Sequence, residues 1–393
     1  MTTSKDNLPI SVNSALVVCP RRIGDVLFAT PVVRSLKSAY PGAAIDMLVF
    51  DGTEGIVSAN PDVRRVLTIS SRPGLKEHVS LYKAIWRRYD LAVSVQVSDR
   101  STLYAWASAK VSVGIVVKEP NAWWKRQLLT DWVPLDNLGT HTLSMNLRLL
   151  DLLGVMPLAT PVIGWSKTDE EMVRSVFPAS GERRGYAVLH VSPKFSYKQW
   201  TVSGWVELAQ WLARRSLKIV VVAGDSEEDQ AYVSNLLPNF PSDRINLAGK
   251  ISLPALGYLL SRAALYVGTD TAVTHMAAAL GTPTVALFGP SNPIKWGPWP
   301  KEWPASAQSL WNFKGTQRRA NVILLQGEGD CVPCLHEGCD RHIHSLSDCL
   351  QNLHVSRVIQ AAEMMLAERE DRVQTTGIPI ARTGSVAFED RVG

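Results

Sequence analysis

The chain has 393 residues, 46% hydrophobic and 20% charged, with a formal net charge of +5. That length exceeds a usual single core and predicts two domains, and the composition excludes a disordered protein. The mild positive charge is too weak to imply nucleic acid but suits an anionic substrate or an anionic membrane surface, and no apolar run is long enough to span a bilayer.

Met1 to Val18 carries no sustained apolar core ahead of a small-residue cleavage site. No signal peptide is expected, so a cytoplasmic protein is, with any membrane association peripheral. The first buried strand is Ala15 to Cys19, followed by Pro20-Arg21-Arg22-Ile23-Gly24-Asp25 and an amphipathic segment from Val26 to Ala39. Thr30-Pro31 inside that segment either starts a fresh helix or kinks one. Ile45 to Phe50 and Val66 to Ile69 read as the next strands, then Leu91 to Val97, a helix over Ser101 to Ala109, and a β-rich run from Val111 to Val117. Strands alternating with helices predict a parallel sheet wound on both faces. Thr142 to Leu153 is a helix closed by Gly154.

The mixed, charged stretch from Pro157 to Arg184 marks the domain boundary. A second α/β unit follows: a strand over Ala187 to Val191, a helix over Gly204 to Arg215, a strand over Lys218 to Ala223, and helices over Glu227 to Leu236 and Leu253 to Arg262. A short strand, Ala264 to Val267, then runs through a Gly/Thr/Asp turn into an Ala-rich helix stopped by Gly281, and Thr284 to Phe288 is the next strand. Beyond Pro290 the chain is Trp/Pro-rich, then Cys/His-rich, and Val355 to Arg369 is one last helix before an aperiodic tail. There is no G-x-G-x-x-G, no G-x-x-x-x-G-K-[ST] and no internal repeat.

Three places could carry chemistry. Gly268 to His275 presents free amides and a helix dipole that suit a phosphate, with Thr271 placed to cap the helix and His275 on the same face. The alternative there is an ordinary capped βαβ unit. Asp25, just past the first strand, can serve as a general base or as a helix N-cap. In the second unit, Ser192 and Lys198 can hold phosphate oxygens, and the acids of Asp225-Ser226-Glu227-Glu228 can bind ribose hydroxyls or merely decorate a helix start.

Taken together, Ile23-Gly24-Asp25-Val26 with Thr30-Pro31, His190 to Trp200, Gly224 to Glu228, and Gly268 to His275 followed by Gly281-Thr282-Pro283 and Leu287-Phe288-Gly289-Pro290 resemble glycosyltransferase family 9, the bacterial heptosyltransferases of lipopolysaccharide core assembly. The resemblance implies a GT-B fold: two Rossmann-like, doubly wound domains facing a central cleft. Residues 1–165 would bind the acceptor and residues 166–354 the nucleotide-sugar donor, with the Cys-rich segment 331–349 inside the latter and residues 355–393 forming a helix and a disordered tail. It implies an inverting transfer of a sugar, heptose from ADP-heptose, to a lipopolysaccharide core or related glycan at the inner-membrane surface, without a catalytic metal. By motif position Asp25 looks like the base and Lys198 like the residue steadying the diphosphate. Ser192, Asp270, Thr271, Ala272 and His275 match donor contacts, and Glu227 or Glu228 would lie near the ribose.

Other readings stay open: another GT-B nucleotide-sugar enzyme (a hexosyltransferase or an epimerase), or a non-catalytic nucleotide-sugar-binding or metal-sensing protein. Asp25 argues against the last, since a sensor has no need of a base opposite the donor. Cys331-x2-Cys334-x4-Cys339-x9-Cys349 comes close to metal-ligand spacing, so a structural zinc or iron–sulfur site is one expectation and reduced loop thiols are the other. Cys19 reads as a small core residue. Trp86-Arg87-Arg88 and Trp123 to Arg126, in the acceptor half, combine amphipathic rings with cations that suit phosphorylated sugars or the inner leaflet; plain surface charge is the competing reading.

Overall fold

A computed structural model describes residues 11–177, 185–304 and 310–376. The N-terminal half is built from β1 (Ser14–Cys19), α1 (Ile23–Ala39), β2 (Ala44–Phe50), β3 (Arg65–Ile69), α2 (Leu75–Ile85), β4 (Tyr89–Ser94), α3 (Asp99–Ser108), β5 (Ala109–Val116), α4 (Trp123–Leu128), β6 (Asp131–Pro134) and α5 (Thr142–Asp151). Its six strands pair in the order β3-β2-β1-β4-β5-β6, all parallel. Leu16 to Cys19 are wholly buried, as a central parallel strand with helices on both faces requires.

After α6 (Lys167–Ser175) the second half comprises β7 (Tyr186–His190), α7 (Val202–Arg214), β8 (Lys218–Val222), α8 (Glu227–Leu236), β9 (Ile245–Asn246), α9 (Leu253–Arg262), β10 (Leu265–Thr269), α10 (Ala272–Leu280), β11 (Thr284–Phe288), α11 (Pro293–Trp296), β12 (Gln317–Arg319), β13 (Val322–Gln326), α12 (Asp348–Gln351) and α13 (Val355–Thr376). The strand order is β12-β13-β11-β10-β7-β8-β9, parallel except for the β12–β13 pair. In each sheet the chain winds outward from a central strand, then returns to wind the other way. The reversal falls between β1 and β4 in one and between β7 and β10 in the other. Crevices for ligands open at the carboxyl ends of such strand pairs.

Most of the expected elements stand within a few residues of their predicted ends. Thr30-Pro31 neither restarts nor breaks α1, which is a single helix. Pro31 has no N–H for the Leu27 carbonyl, and the Thr30 hydroxyl donates to that carbonyl instead at 2.8 Å. The Thr30 hydroxyl in turn accepts the Val162 N–H. The stretch taken as a boundary contains α6, whose start is closed by a capping box between Ser166 and Asp169. Helix α2 and strands β6, β9, β12 and β13 were not expected. Helix α13 runs on to Thr376, and the tail expected as disordered, residues 377–393, lies outside the described residues.

One apolar core runs through both halves. It includes Phe28, Val32 and Val33 of α1, Leu147 and Leu150 of α5, and Val273, Met276 and Ala277 of α10. Helices α1 and α10 therefore pack on each other, and their N-termini meet at the cleft.

Candidate active site

Asp25 lies in the first turn of α1, only 7% exposed. The N-cap position belongs to Arg22, so Asp25 does not cap the helix. Burial pushes the Asp25 carboxyl above the usual carboxylate range, while Arg21, Arg22 and Lys295, with a hydrogen bond from Gln96, pull it back. The Arg21 Nε lies 3.8 Å from Oδ2. Gln96 follows β4, the strand across the reversal point from β1, and Lys295 comes from α11 in the opposite half.

The other wall is the turn between β10 and α10. Asp270 is buried and takes a short ion pair from Lys198 (Nζ to Oδ2, 2.6 Å), and the same Nζ donates to its carbonyl at 3.1 Å. The Ser291 hydroxyl donates to the same carboxylate oxygen at 2.6 Å. Burial alone would raise the Asp270 carboxyl, but Lys198, His275 and Ser291 outweigh it and hold the group below its ordinary range. Thr271 occupies the N-cap of α10, yet its hydroxyl makes no capping bond. It lies 3.4 Å from the His190 Nδ1 and 3.4 Å from the Thr274 hydroxyl, which leaves the first amides of α10 without a side-chain partner. Gly281 ends the helix at φ +84°, a conformation glycine adopts without strain.

His275 is buried with its Nε2 3.7 Å from Asp270 and its Nδ1 without a hydrogen-bond partner among the described residues. Burial pushes the ring down to about 4, so it is neutral at pH 7. Its ring packs on Phe28 at 4.8 Å, and a Cβ on Gly24 would already touch it at 3.4 Å. The residue beside Asp25 thus abuts the residue that closes the opposite turn. This approach of Gly24, next to Asp25, to Ala272 and His275 was only implied by the sequence.

Ser192 and the acidic turn are arranged differently from the expectation. The Ser192 hydroxyl donates to Asp229, which also takes the Ser226 hydroxyl at 2.6 Å. Asp229 is the acid drawn inward, whereas Glu227 and Glu228 stand exposed on the first turn of α8. Sequence reading missed Asp229, Phe28, His141 and Lys295. His141 is buried between Phe28 (5.1 Å) and Trp299 (5.0 Å), accepts the Leu143 N–H at Nδ1 and therefore donates from Nε2 to the Gly297 carbonyl at 2.8 Å. With Asn292 donating to the Leu138 carbonyl, Thr142 donating to the Lys295 carbonyl and Lys295 donating to the Asn137 side chain, it sews the loop before α5 to α11 across the cleft. A His-Thr pair preceding a helix was the one available signal.

The expectation of a structural metal finds no support among the described residues. Cys331 and Cys339 are exposed, Cys334 is half-buried, and Cys349 is buried at the start of α12. The Cys349 thiol packs under Gly289 in the core, and burial with the neighbouring thiols pushes it up to about 12. The Cys339 sulfur accepts the Asp348 N–H at 3.4 Å. Among the described residues no three His, Cys, Asp or Glu side chains are placed to hold a metal. The four thiols are neighbours that differ in exposure, Cys349 in the core and Cys331 and Cys339 at the surface.

Two parallel, doubly wound sheets meeting at their carboxyl edges make this a GT-B protein. A glycosyltransferase family 9 protein from Veillonella parvula has the same fold over 91% of this chain and 98% of its own (TM-score 0.73, 20% identity). So does ADP-heptose lps heptosyltransferase II of Escherichia coli, over 91% and 99% (TM-score 0.69, 21% identity). Residues 78–322 match Glycosyltransferase family 9 (heptosyltransferase), and the chain belongs to that family of glycosyltransferases. Among curated proteins, lipopolysaccharide heptosyltransferase 3 of Escherichia coli K12 is 29% identical over 303 residues, 73% of this chain and 87% of that one.

Proposed function

We propose that this enzyme transfers heptose from ADP-heptose to a lipopolysaccharide core acceptor with inversion at the anomeric carbon. The observation that carries the reading is one cleft with a buried carboxylate on one wall and a cation with unpartnered helix amides on the other. Its likeness to lipopolysaccharide heptosyltransferase 3 supports the sugar and the acceptor.

In this reading residues 1–165 hold the acceptor and residues 166–354 the donor. Asp25 takes the proton from the acceptor hydroxyl as that oxygen attacks the anomeric carbon. Its burial favours accepting a proton, and Arg21, Arg22 and Lys295 oppose part of that rise. The C–O bond to the diphosphate breaks on the opposite side, so a single displacement inverts the centre. Lys198 and the α10 amides at Thr271 and Ala272 meet the charge that develops on the leaving diphosphate. Asp270 acts behind them: a buried carboxylate beside a diphosphate is unfavourable unless its charge is used to hold Lys198 in place. His275, neutral, offers its open Nδ1 to the donor as a hydrogen-bond partner without adding charge. Ser192 and Asp229, with Glu227 or Glu228, line the ribose end. Charge on the diphosphate is then met by the protein alone, and a catalytic metal is not required. The enzyme works at the cytoplasmic face of the inner membrane, peripherally.

Purified protein offered a panel of nucleotide sugars and a heptose-deficient core acceptor tests this. Release of ADP from ADP-heptose that depends on the acceptor is the expected result. Equal turnover of a hexose donor would overturn the sugar assignment. Conversion of a nucleotide sugar without any acceptor would put an epimerase in its place.

A further inference from the structure

We infer that the carboxyl-edge rim of the N-terminal half docks on an anionic phospholipid bilayer and holds the cleft over it. Because all strands of this sheet are parallel, every loop after a strand emerges on the edge that bears Asp25. Helix α2 starts there after β3, and α4 after β5. Their first turns expose large apolar side chains to water: Leu75 is 80% exposed, Val79, one turn on, 44%, and Trp123 57%. The opposite face of α2 is already committed to the core through Leu81 and Ile85. An apolar stripe on the outer face of a helix whose inner face is buried has no role in folding the domain.

The two stripes belong to one surface. Arg100, at the start of α3, donates to the Ser71 carbonyl ahead of α2 at 3.2 Å. Lys125 of α4 pairs with Asp99 of α3 at 2.6 Å and donates to the Val97 carbonyl at 2.8 Å. Charge completes the match. Of the ten Lys and Arg and four Asp and Glu in residues 71–126, Lys83, Arg87, Arg88, Lys110 and Asp90 lie toward the opposite edge, which leaves six cations against three acids at the rim. Two of those three acids are already used, Glu77 by Ser70 and Asp99 by Lys125, while Arg72, Lys76 and Lys118 stand exposed. Apolar anchors ringed by cations fit a surface with acyl chains under anionic headgroups. Trp86 is as exposed, at 53%, but it stacks with Trp106 and Arg87 where α2 and α3 end, at the opposite edge of the sheet. Of the two Trp/Arg segments only the one at Trp123 shares the edge of the cleft.

The inference rests on a lipid-linked acceptor, but its test does not. The full chain is sedimented with phosphatidylethanolamine–phosphatidylglycerol vesicles and with neutral phosphatidylcholine vesicles, at low and high salt. Wild type and Trp86→Ser should partition alike onto the anionic vesicles, with loss at high salt. The triple variant Leu75→Ser, Val79→Ser, Trp123→Ser should bind at least about tenfold more weakly, since each buried methylene lost weakens binding about fourfold and the three changes together remove several. These positions are exposed, so transfer to a delipidated, water-soluble core acceptor should be unchanged. Wild type that ignores the vesicles, a triple variant that binds them normally, or equal loss in Trp86→Ser overturns the inference. So does self-association of wild type that the triple variant abolishes without any vesicle binding. Failure of transfer in every variant would instead count against the functional reading, with vesicle binding still reporting on the rim.

Discussion

Replacing Lys198 by Met leaves the Asp270 carboxylate buried without its cation. Asp270 is 5% exposed, and its other supports are one serine hydroxyl and a neutral histidine ring 3.7 Å away. Breaking a buried ion pair from one side costs about 3–5 kcal/mol. A ceiling comes from protonation: the carboxylate can take up a proton instead, which at pH 7 costs about 4 kcal/mol, some three units above the ordinary Asp value at about 1.4 kcal/mol each. The expected loss of stability for Lys198→Met is therefore about 3–4 kcal/mol at pH 7. In wild type the Asp270 pKa is lowered, so its contribution is present at neutral pH and lost only as the pH falls through that lowered value. In the variant the folded-state pKa lies above the unfolded one, so the penalty shrinks as pH falls, by about 1.4 kcal/mol per unit. Urea unfolding followed by Trp fluorescence at pH 7 and pH 5.5 measures both effects. Adding Asp270→Asn should restore most of the stability while transfer stays lost, because the cation at the leaving group is still missing. A loss below about 1 kcal/mol, the range of an exposed pair, or a loss that does not depend on pH, would refute the reasoning.

Asp25→Asn should keep donor binding and folding while slowing transfer by roughly 10²–10⁴-fold, the range for a general base; transfer at the wild-type rate would remove Asp25 from that role. Lys295→Met takes away one of the cations that lower the Asp25 pKa, so the acid limb of the pH–rate profile should move to higher pH, with donor affinity unchanged in a calorimetric titration. An unmoved limb would make Lys295 a purely structural link to Asn137. Burial holds His141 down to about 3 and His190 and His275 to about 4, so all three are neutral in the folded protein where the unfolded chain would bind protons. Stability should then be whole above the ordinary histidine value and fall as pH drops from there toward 4, with a slope of up to about 4 kcal/mol per unit. A urea midpoint that stays flat between pH 7 and pH 5 would contradict that burial.

Much of this protein can be read from local pattern. Parallel strands such as Leu16–Cys19 and Val285–Phe288 are continuous apolar runs because both faces are covered, and Gly281 ends α10 because only a left-handed residue fits there. Asp25, Lys198 and the Gly268–His275 turn were legible as candidates, since each follows a strand and so falls on the ligand edge of a doubly wound sheet. Strand β13 and helix α6 escaped because they sit in segments whose Trp, Pro and charges mask their period. Tertiary structure alone decided that α1 packs against α10, which sets the residue next to Asp25 on the ring of His275, and that Lys198 spends its charge on Asp270. It also decided that Asp229 rather than Glu227 or Glu228 turns inward, and that Lys295 from the opposite half lowers the Asp25 pKa. The reason is common to all of them: spacing along the chain fixes which edge or face a side chain occupies, whereas its partners come from other elements, 37 positions away for Asp229 and Ser192 and 72 for Lys198 and Asp270.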